Sequence, residues 1–256
     1  MHLALAEALE RAIQQGVYVL TLRRAQHIAC LASYLVPIVE RGLVGLIVAS
    51  TPGEAFVSPF GGSTPLFSNN PIAFAAPGDD CPLLFDISTA ITAGGQVDRA
   101  ARESRPLPEA ALKDASGQTS ADPAVLSRGG SVMPIGGASH GYKGYALTLM
   151  TEILTQVLPG YGVLAGGGDA GANSVFIQVL DPAAFGDRES YQREMTNLFR
   201  RVHASSPDQS EQPVRIPGER AWAQRNRRLA EGVDLYPGVL DGLLKCALSL
   251  DVASTL

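Results

Sequence analysis

Cysteine and charge are scarce in this sequence of 256 residues, and each scarcity excludes a class of protein. The three cysteines, Cys30, Cys81 and Cys246, lie far apart and form no Cys-x-x-Cys pair. Such an odd, scattered set excludes a disulfide scaffold and is typical of a reducing compartment. Only 18% of residues are charged, and 20 basic against 25 acidic residues give a net charge of −5. We therefore expect a cytoplasmic protein without a nucleic-acid partner.

Long apolar runs and common catalytic motifs are also missing. No run reaches the ~18 apolar residues that a bilayer span needs, and the first residues show helical spacing with acidic side chains, so we expect no membrane partner. The sequence contains no His-Glu-x-x-His or P-loop motif and marks no Ser-His-acid constellation, which argues against a hydrolase. The four histidines are His2, His27, His140 and His203. No pair of them lies at metal-ligand spacing, so no metal site is predicted.

What is present is an alternation of helical and strand patterns in the first 50 residues. Apolar residues recur at helical spacing over 3–15 and over about 24–41. β-branched runs at 17–22 and 44–49 predict strands. Because 46% of all residues are hydrophobic, the chain can form a full core. We predict a mixed α/β (α+β) fold class.

The middle of the chain is poorer in regular patterns. Residues 51–70 are rich in Gly, Pro, Ser and Asn and predict a loop. Apolar runs at 72–76 and 83–87 flank Pro-Gly-Asp-Asp, which predicts a hairpin. Residues 91–140 lack strong periodicity, and a span of that length is usually functional or linker-like.

The second half predicts mainly helices. We expect a helix over 145–158, a strand over 174–180, and a helix from Asp181 to about residue 203, with Asp181 as its N-cap. Two helices, at about 218–231 and 236–250, close the chain.

A Gly-x-Gly-x-x-Gly pattern occurs at Gly166, Gly168 and Gly171. A dinucleotide-binding fingerprint requires a strand before the glycines and a helix after them. Here a predicted strand follows instead, so we interpret the pattern as a flexible loop.

Several other motifs occur in an order that resembles the second type of malate/L-lactate dehydrogenase family. Relatives of this kind include ureidoglycolate, sulfolactate and diketogulonate oxidoreductases. The matching segments are Arg24-Ala-Gln-His-Ile28, Ser68-Asn-Asn-Pro-Ile-Ala-Phe74, Leu84-Phe-Asp-Ile-Ser-Thr89, Pro134-Ile-Gly-Gly137, Tyr142-Lys-Gly-Tyr-Ala-Leu147 and Ile216-Pro-Gly-Glu-Arg220. Together these segments form a far more specific signal than any one of them alone.

The resemblance implies a fold, a reaction and a partner. It implies a non-Rossmann cofactor domain with a mixed sheet flanked by helices over residues 1–206, and C-terminal helices over 207–256. The implied reaction is hydride transfer between NAD or NADP and C2 of a small 2-hydroxy or 2-oxo acid. A homodimer is implied as well. The residues leave the choice of NAD or NADP, and the identity of the acid, open.

One feature of the family is absent from the sequence. The resemblance places the principal proton-donating His and a carboxylate-binding Arg in a Gly-His-x-Ser-His-Gly-x-x-Arg segment, and these 256 residues contain no such segment. We therefore expect a truncated relative with impaired activity. The alternative is a non-catalytic remnant or cofactor-binding module of that family.

Candidate site residues follow from the matching segments. The resemblance makes His27 the second histidine of the cleft, although a surface histidine on a helix would fit the sequence too. Lys143, placed just before a predicted helix, could pair with phosphate or ribose, or be a solvated lysine. His140 is two residues away from the position where relatives carry a histidine, which puts any role for it in doubt.

The remaining candidates are cofactor contacts, and each has a structural alternative. Asp86 could meet a ligand or cap a turn, Asn70 and Pro71 could present backbone groups or form a plain turn, and the Gly218 segment could favour an anion or complete a helix start. The full predicted cofactor-binding set is Asn70, Pro71, Asp86, Ser88, Thr89, Lys143, Gly144, Gly218, Glu219 and Arg220.

Overall fold

The computed structural model describes residues 1–162, 164, 172–209 and 212–252, in which helices alternate with mostly short strands. The helices are α1 (His2–Gln15), α2 (Ala32–Val39), α3 (Gly94–Arg102), α4 (Gly137–Glu152), α5 (Arg188–His203), α6 (Glu219–Glu231) and α7 (Val239–Ser249). The strands are β1 (Val17–Leu22), β2 (Val44–Ser50), β3 (Ile72–Ala76), β4 (Leu83–Ile87), β5 (Leu112–Lys113), β6 (Thr119–Ser120), β7 (Ser131–Val132) and β8 (Ser174–Leu180).

The main sheet has five strands in the order β1-β8-β2-β3-β4, and each of these pairings is antiparallel. β1, α2 and β2 form a split β-α-β unit, because the later strand β8 inserts between β1 and β2. The predicted α/β class and helix-flanked sheet are confirmed. The sheet is antiparallel rather than mixed, since β8 separates the two strands that run in the same direction.

The centre of this sheet is buried. Ile47 and Val48 of β2 and Ile177 of β8 are fully buried. α1 contributes Leu5 and Leu9 to the buried set. The predicted bounds of the five long strands agree with the structure to within a residue, because apolar, β-branched runs of this length favour strands whatever their partners.

Residues 91–140 contain a small second sheet, with strand order β6-β5-β7, together with α3. A separate buried cluster includes Val57, Val97, Leu112 and Val132. No sequence pattern predicted this sheet, because its strands are only two residues long, which is too short for an alternating pattern.

Three predicted helices have different bounds. Residues 24–31 are irregular instead of helical, with positive φ at Arg24, Gln26 and Ala29. α4 begins at Gly137 rather than 145, and it continues as a π-helical turn over Ile153–Val157. After β8, Pro182–Ala184 forms a 3₁₀ turn capped by Asp181, and α5 starts separately with Asp187 as its N-cap.

The chain divides into two units, Met1–Gly218 and Glu219–Leu256. The second unit consists of α6 and α7, which have no buried residues. Among the described residues, no helix is both long and apolar enough to cross a membrane. The Gly166-Gly168-Gly171 pattern lies outside the described residues.

Candidate functional site

A cleft of about 630 Å³ opens at the end of β2. It is lined by residues of three loops, within 27–31, 51–54 and 68–71, and by Asn173, which directly precedes β8. Its polar lining includes His27, Thr51, Glu54, Asn69 and Asn173. This volume lies within the ~300–1,000 Å³ that is usual for small-molecule sites.

Asn173 holds the loop that carries His27. The backbone N–H of Ala25 donates to the Asn173 carbonyl oxygen at 2.9 Å, and the Asn173 amide Nδ2 donates to the Gln26 carbonyl oxygen. Thr51 Oγ1 donates to Asn173 Oδ1 at 2.9 Å. These bonds stabilise the positive-φ backbone of this loop, and as a result they place His27 at the cleft wall.

Asn70 lies behind the cleft and organises the loop in front of it. It is fully buried, with φ 44°, in the left-handed region that Asn tolerates better than most residues. Its Oδ1 accepts from Ser68 Oγ at 2.5 Å, and Ser68 Oγ accepts from the Thr51 N–H at 2.9 Å. Its Nδ2 donates to Glu152 Oε1 at 2.7 Å.

Glu152 is therefore the inner end of a hydrogen-bonded chain that reaches the cleft through Asn70 and Ser68. Burial raises the pKa of the Glu152 carboxyl, and the hydrogen bonds from Asn70 and Gln156 oppose the shift in part. A carboxyl in this position orients the Asn70 amide, and it is not among the residues that line the cleft.

Asn69 is one of the residues that line the cleft. Its backbone carbonyl accepts from Ser88 Oγ at 2.8 Å and from the Thr89 N–H at 3.1 Å. Its side-chain Oδ1 is buried and has no hydrogen-bond partner within the described part of the chain. An unsatisfied buried acceptor is costly, so this oxygen is suited to a ligand that brings an N–H or O–H donor.

Asp86 has a structural task in this fold. Its Oδ2 accepts from the Ala32 N–H at 3.0 Å, at the start of α2, and from Cys30 Sγ at 3.3 Å. Burial, followed by the contact with the Asp86 carboxylate, raises the pKa of the Cys30 thiol. The hydrogen bond from the Ala32 N–H thus supports the interpretation of Asp86 as a capping residue. Asp86 does not line the cleft.

Lys143 and Gly144 lie within the second turn of α4, not before its start. The Lys143 side chain is exposed, with Nζ 5.9 Å from the centre of the Tyr142 ring. Gly144 packs on Ile135, and a Cβ atom there would lie 2.5 Å from the Ile135 carbonyl oxygen. Thr148, one turn on, donates to Thr89 Oγ1 at 3.0 Å, which joins α4 to the Asn69 loop.

Gly218 ends the first unit beside β4. The Leu84 N–H donates to the Pro217 carbonyl oxygen at 2.9 Å, and a Cβ on Gly218 would lie 2.5 Å from the Leu84 carbonyl oxygen. Glu219 and Arg220 are the first residues of α6, in the second unit.

The structure brings only part of the predicted set together. His27 and Pro71 line the cleft, while Asn70, Ser88 and Thr89 support the Asn69 loop from behind. The cofactor roles of the whole set stay predictions. Sequence reasoning missed Thr51, Ser68, Asn69, Glu152 and Asn173; of these, Ser68 and Asn69 lie inside a recognised motif.

The chain is similar to known proteins over most of its length. Residues 1–244 match the family described as malate/L-lactate dehydrogenase. The Δ1-pyrroline-2-carboxylate/Δ1-piperideine-2-carboxylate reductase of Pseudomonas putida is 35% identical over 254 residues, which cover 94% of this chain and 70% of that protein.

Two further comparisons agree with this match. The L-sulfolactate dehydrogenase of Methanothermobacter thermautotrophicus is 29% identical over 97% of this chain and 71% of its own length. The crystal structure of Δ1-piperideine-2-carboxylate reductase from Pseudomonas syringae pv. tomato superposes with a TM-score of 0.80 at 32% identity, covering 95% of this chain and 72% of that one.

Proposed function

This chain belongs to the malate/L-lactate dehydrogenase family, and from that premise we propose that it uses NAD or NADP to interconvert a 2-hydroxy acid and its 2-oxo acid. The relatives are dehydrogenases and reductases of small acids, which supports the oxidoreductase class. Beyond the oxidoreductase class, we propose two further properties: the nicotinamide cofactor and the reaction at C2.

One observation carries the proposal: the His27 cleft is lined by Asn69, whose buried side-chain Oδ1 has no hydrogen-bond partner among the described residues. The carboxamide of nicotinamide presents an N–H₂ group, which is the kind of donor that this buried oxygen lacks. The cleft is large enough to enclose a nicotinamide and a small acid. The residues therefore fit the nicotinamide end of such a cofactor.

When it is bound, the nicotinamide supplies or accepts the hydride. The chain's own residues orient the reactants and handle the proton. His27 is the histidine of the cleft lining, and an imidazole can hold a proton near the reacting oxygen at neutral pH. We assign it a secondary catalytic role. Asn69 is held at the cleft by Ser88 and Thr89.

The other predicted contacts enter the proposal with lesser roles. We propose that Asn70, Ser88 and Thr89 shape the cleft from behind and that Pro71 forms part of its wall. Lys143, Gly144, Asp86 and the Gly218–Arg220 segment remain proposed cofactor contacts by resemblance to the family. A cytoplasmic homodimer is proposed for the same reason.

A second candidate is a cofactor-binding module without turnover. The observation that favours it is the charge of the cleft: the described lining residues include Glu54 but neither Lys nor Arg. A substrate carboxylate would find no cation among them, and the nearby Glu54 carboxylate would repel it.

Turnover assays separate the two candidates. Oxidation of NADH and NADPH would be followed by absorbance with pyruvate, oxaloacetate and Δ1-piperideine-2-carboxylate. We expect cofactor oxidation with pyruvate or oxaloacetate, whereas oxidation with the cyclic imine alone would contradict a reaction at a 2-oxo group. Saturable cofactor binding without oxidation would favour the binding module, and the absence of both would overturn the proposal.

A further inference from the structure

Glu54 is the acidic residue in the lining of the His27 cleft, and a tight turn places it there. In the turn Thr51-Pro52-Gly53-Glu54, the Glu54 N–H donates to the Thr51 carbonyl oxygen at 3.1 Å, and Gly53 has φ 85°. Proline at the second position and a glycine with positive φ at the third are the features of a type II turn. These residue types therefore fix the direction in which the chain reaches Glu54.

The first residue of this turn is anchored to two other lining residues. The Thr51 N–H donates to Ser68 Oγ at 2.9 Å, and Thr51 Oγ1 donates to Asn173 Oδ1 at 2.9 Å. Pro52 is buried, whereas Glu54 is exposed. The Glu54 carboxylate forms no hydrogen bond or ion pair with another described residue. The backbone thus holds this carboxylate at the cleft, while no protein group neutralises its charge.

No basic side chain offsets this charge in the described lining of the cleft, which contains neither Lys nor Arg. Arg23 and Arg24 precede His27 on the same loop, and Lys143 is exposed on α4, but none of these three cations is among the lining residues. The stretches outside the described residues contain no Lys or Arg in the sequence either. The charge that a ligand meets at this wall is therefore negative.

The start of α2 does not supply the missing positive charge. Leu31, the N-cap residue of α2, lines the cleft, and the N-terminus of a helix attracts anions. However, the Asp86 carboxylate already accepts from the Ala32 N–H at that position. The partial charge of the helix end is thus used within the protein, and a ligand anion would meet Glu54 without compensation.

We propose that Glu54 sets the substrate specificity of the cleft, favouring acids whose far end carries a cationic nitrogen and disfavouring dicarboxylates. A ligand in a cleft of about 630 Å³ lies near enough to a wall residue for its charge to be incompletely screened, since the Debye length is ~8 Å at physiological salt. The carboxylate beside C2 is common to all candidate acids, so the charge at the far end makes the difference between them.

This inference rests on the proposed function and names the class of acid within it. An acid that brings its own cation is zwitterionic, so it needs no Lys or Arg from the cleft. The lack of a cation in the lining, which favours a module without turnover, is then a property of the specificity instead.

A matched series of four-carbon acids tests the inference. 2-Hydroxybutanoate, malate and 4-amino-2-hydroxybutanoate share the 2-hydroxy acid group, and their far ends are neutral, negative and positive. Calorimetry would give the dissociation constant of each acid in the presence of saturating NADH or NADPH. A reduced nucleotide cannot oxidise a hydroxy acid, so binding is measured without turnover.

Three variants accompany the unaltered chain. Glu54→Gln removes the charge and keeps the size of the side chain, and Glu54→Lys reverses the charge. Glu10→Gln on α1 is the matched control, because Glu10 is an exposed carboxylate that does not line the cleft. Circular dichroism checks that each variant is folded.

We expect the unaltered chain and Glu10→Gln to bind the amino acid of the series most tightly and malate least tightly. An exposed carboxylate should change affinity about three-fold for each unit of ligand charge, so these two acids should differ about ten-fold. Glu54→Gln should remove most of this difference, and Glu54→Lys should invert the order. Added salt should reduce the difference, an effect that a change of cleft shape would not produce.

The possible failures are distinguishable. Malate that binds as tightly as the amino acid, or an order that Glu54→Gln leaves unchanged, would overturn the inference and leave the proposed function in place. Binding of none of the three acids to a chain that is saturated with nucleotide would overturn the inference as well. Failure of both nucleotides to bind, followed by nicotinamide fluorescence, would overturn the proposed function and this inference with it.

Discussion

Glu152 makes the clearest prediction at the scale of single residues. Its carboxyl has a raised pKa in the folded chain because it is largely buried. The folded state therefore holds this proton more tightly than the unfolded chain, in which a Glu has a pKa of about 4.3. Unfolding releases the proton between that value and the raised pKa, so the stability contributed by Glu152 falls as pH rises through this window.

Glu152→Gln should remove this dependence. A Gln side-chain oxygen can still accept from Asn70 Nδ2, and it carries no charge to desolvate. In urea unfolding curves, the variant should gain stability relative to the unaltered chain as pH rises from about 4 to 7. A difference that stays constant with pH would show that the carboxyl is not desolvated.

Glu103→Gln is a control for which the pH dependence of stability has the opposite sign. Hydrogen bonds from Arg99 and Arg105 lower the pKa of Glu103 to about 2. Its contribution is therefore present above the ordinary pKa and is lost as pH falls toward 2. Because this carboxylate is exposed, we expect the effect to be small.

Contacts between individual residues were the features least predictable from the sequence. His27 could be named from its motif, but Asn173, which holds its loop, lies 146 positions along the chain from it. Thr51 and Glu152 carry no local pattern either. Their roles come from hydrogen bonds between segments far apart in sequence, which local periodicity and turn chemistry do not encode.

At the scale of elements, α4 shows packing overriding intrinsic preference. Its first turns contain Gly137, Gly141 and Gly144, each of which costs about 1 kcal/mol in a helix relative to Ala. That cost is why the sequence predicted a later start, at 145. The helix extends to 137 because these glycines allow close approach, such as that of Gly144 to the Ile135 backbone.

Gly144→Ala tests this explanation. The added Cβ would lie 2.5 Å from the Ile135 carbonyl oxygen and 2.6 Å from its nitrogen. Overpacking against backbone should cost about 1–3 kcal/mol in the free energy of unfolding, despite the better helix propensity of Ala. The measurement is the urea midpoint.

Gly95→Ala in α3 is the control, because a Cβ there meets nothing within 4 Å. It should leave stability unchanged or raise it by up to about 1 kcal/mol. Equal midpoints for Gly144→Ala and the unaltered chain would contradict the close-packing account.

The bounds of the long strands were predicted more accurately from the sequence than those of the helices. The runs that became β2 and β8 were predicted almost to the residue, since they are predominantly apolar and end at loop residues. The irregular segment 24–31 was predicted as helix because its apolar spacing is helical. Hydrogen bonds to Asn173 and the positive φ of Arg24, Gln26 and Ala29 prevail over that local signal.

At the scale of the whole molecule, the sequence predicted the fold class and the family but not the full sheet topology. The insertion of β8 between β1 and β2 joins strands more than 120 residues apart. We retain the division at 206/207 as a proposal for the domain organisation. The two units themselves part at Gly218, after the Pro217–Leu84 hydrogen bond.

The central claim is that the His27 cleft binds a nicotinamide nucleotide, and a fluorescence titration tests it most directly. NADH and NADPH would each be titrated into the unaltered chain, His27→Ala and His203→Ala, a change to an exposed histidine of α5 that does not line the cleft. We predict saturable binding of at least one nucleotide, weakened about ten-fold by His27→Ala and unaffected by His203→Ala, as the loss of one cleft contact would do. Absence of saturation with either nucleotide, or identical curves for all three proteins, would contradict the account.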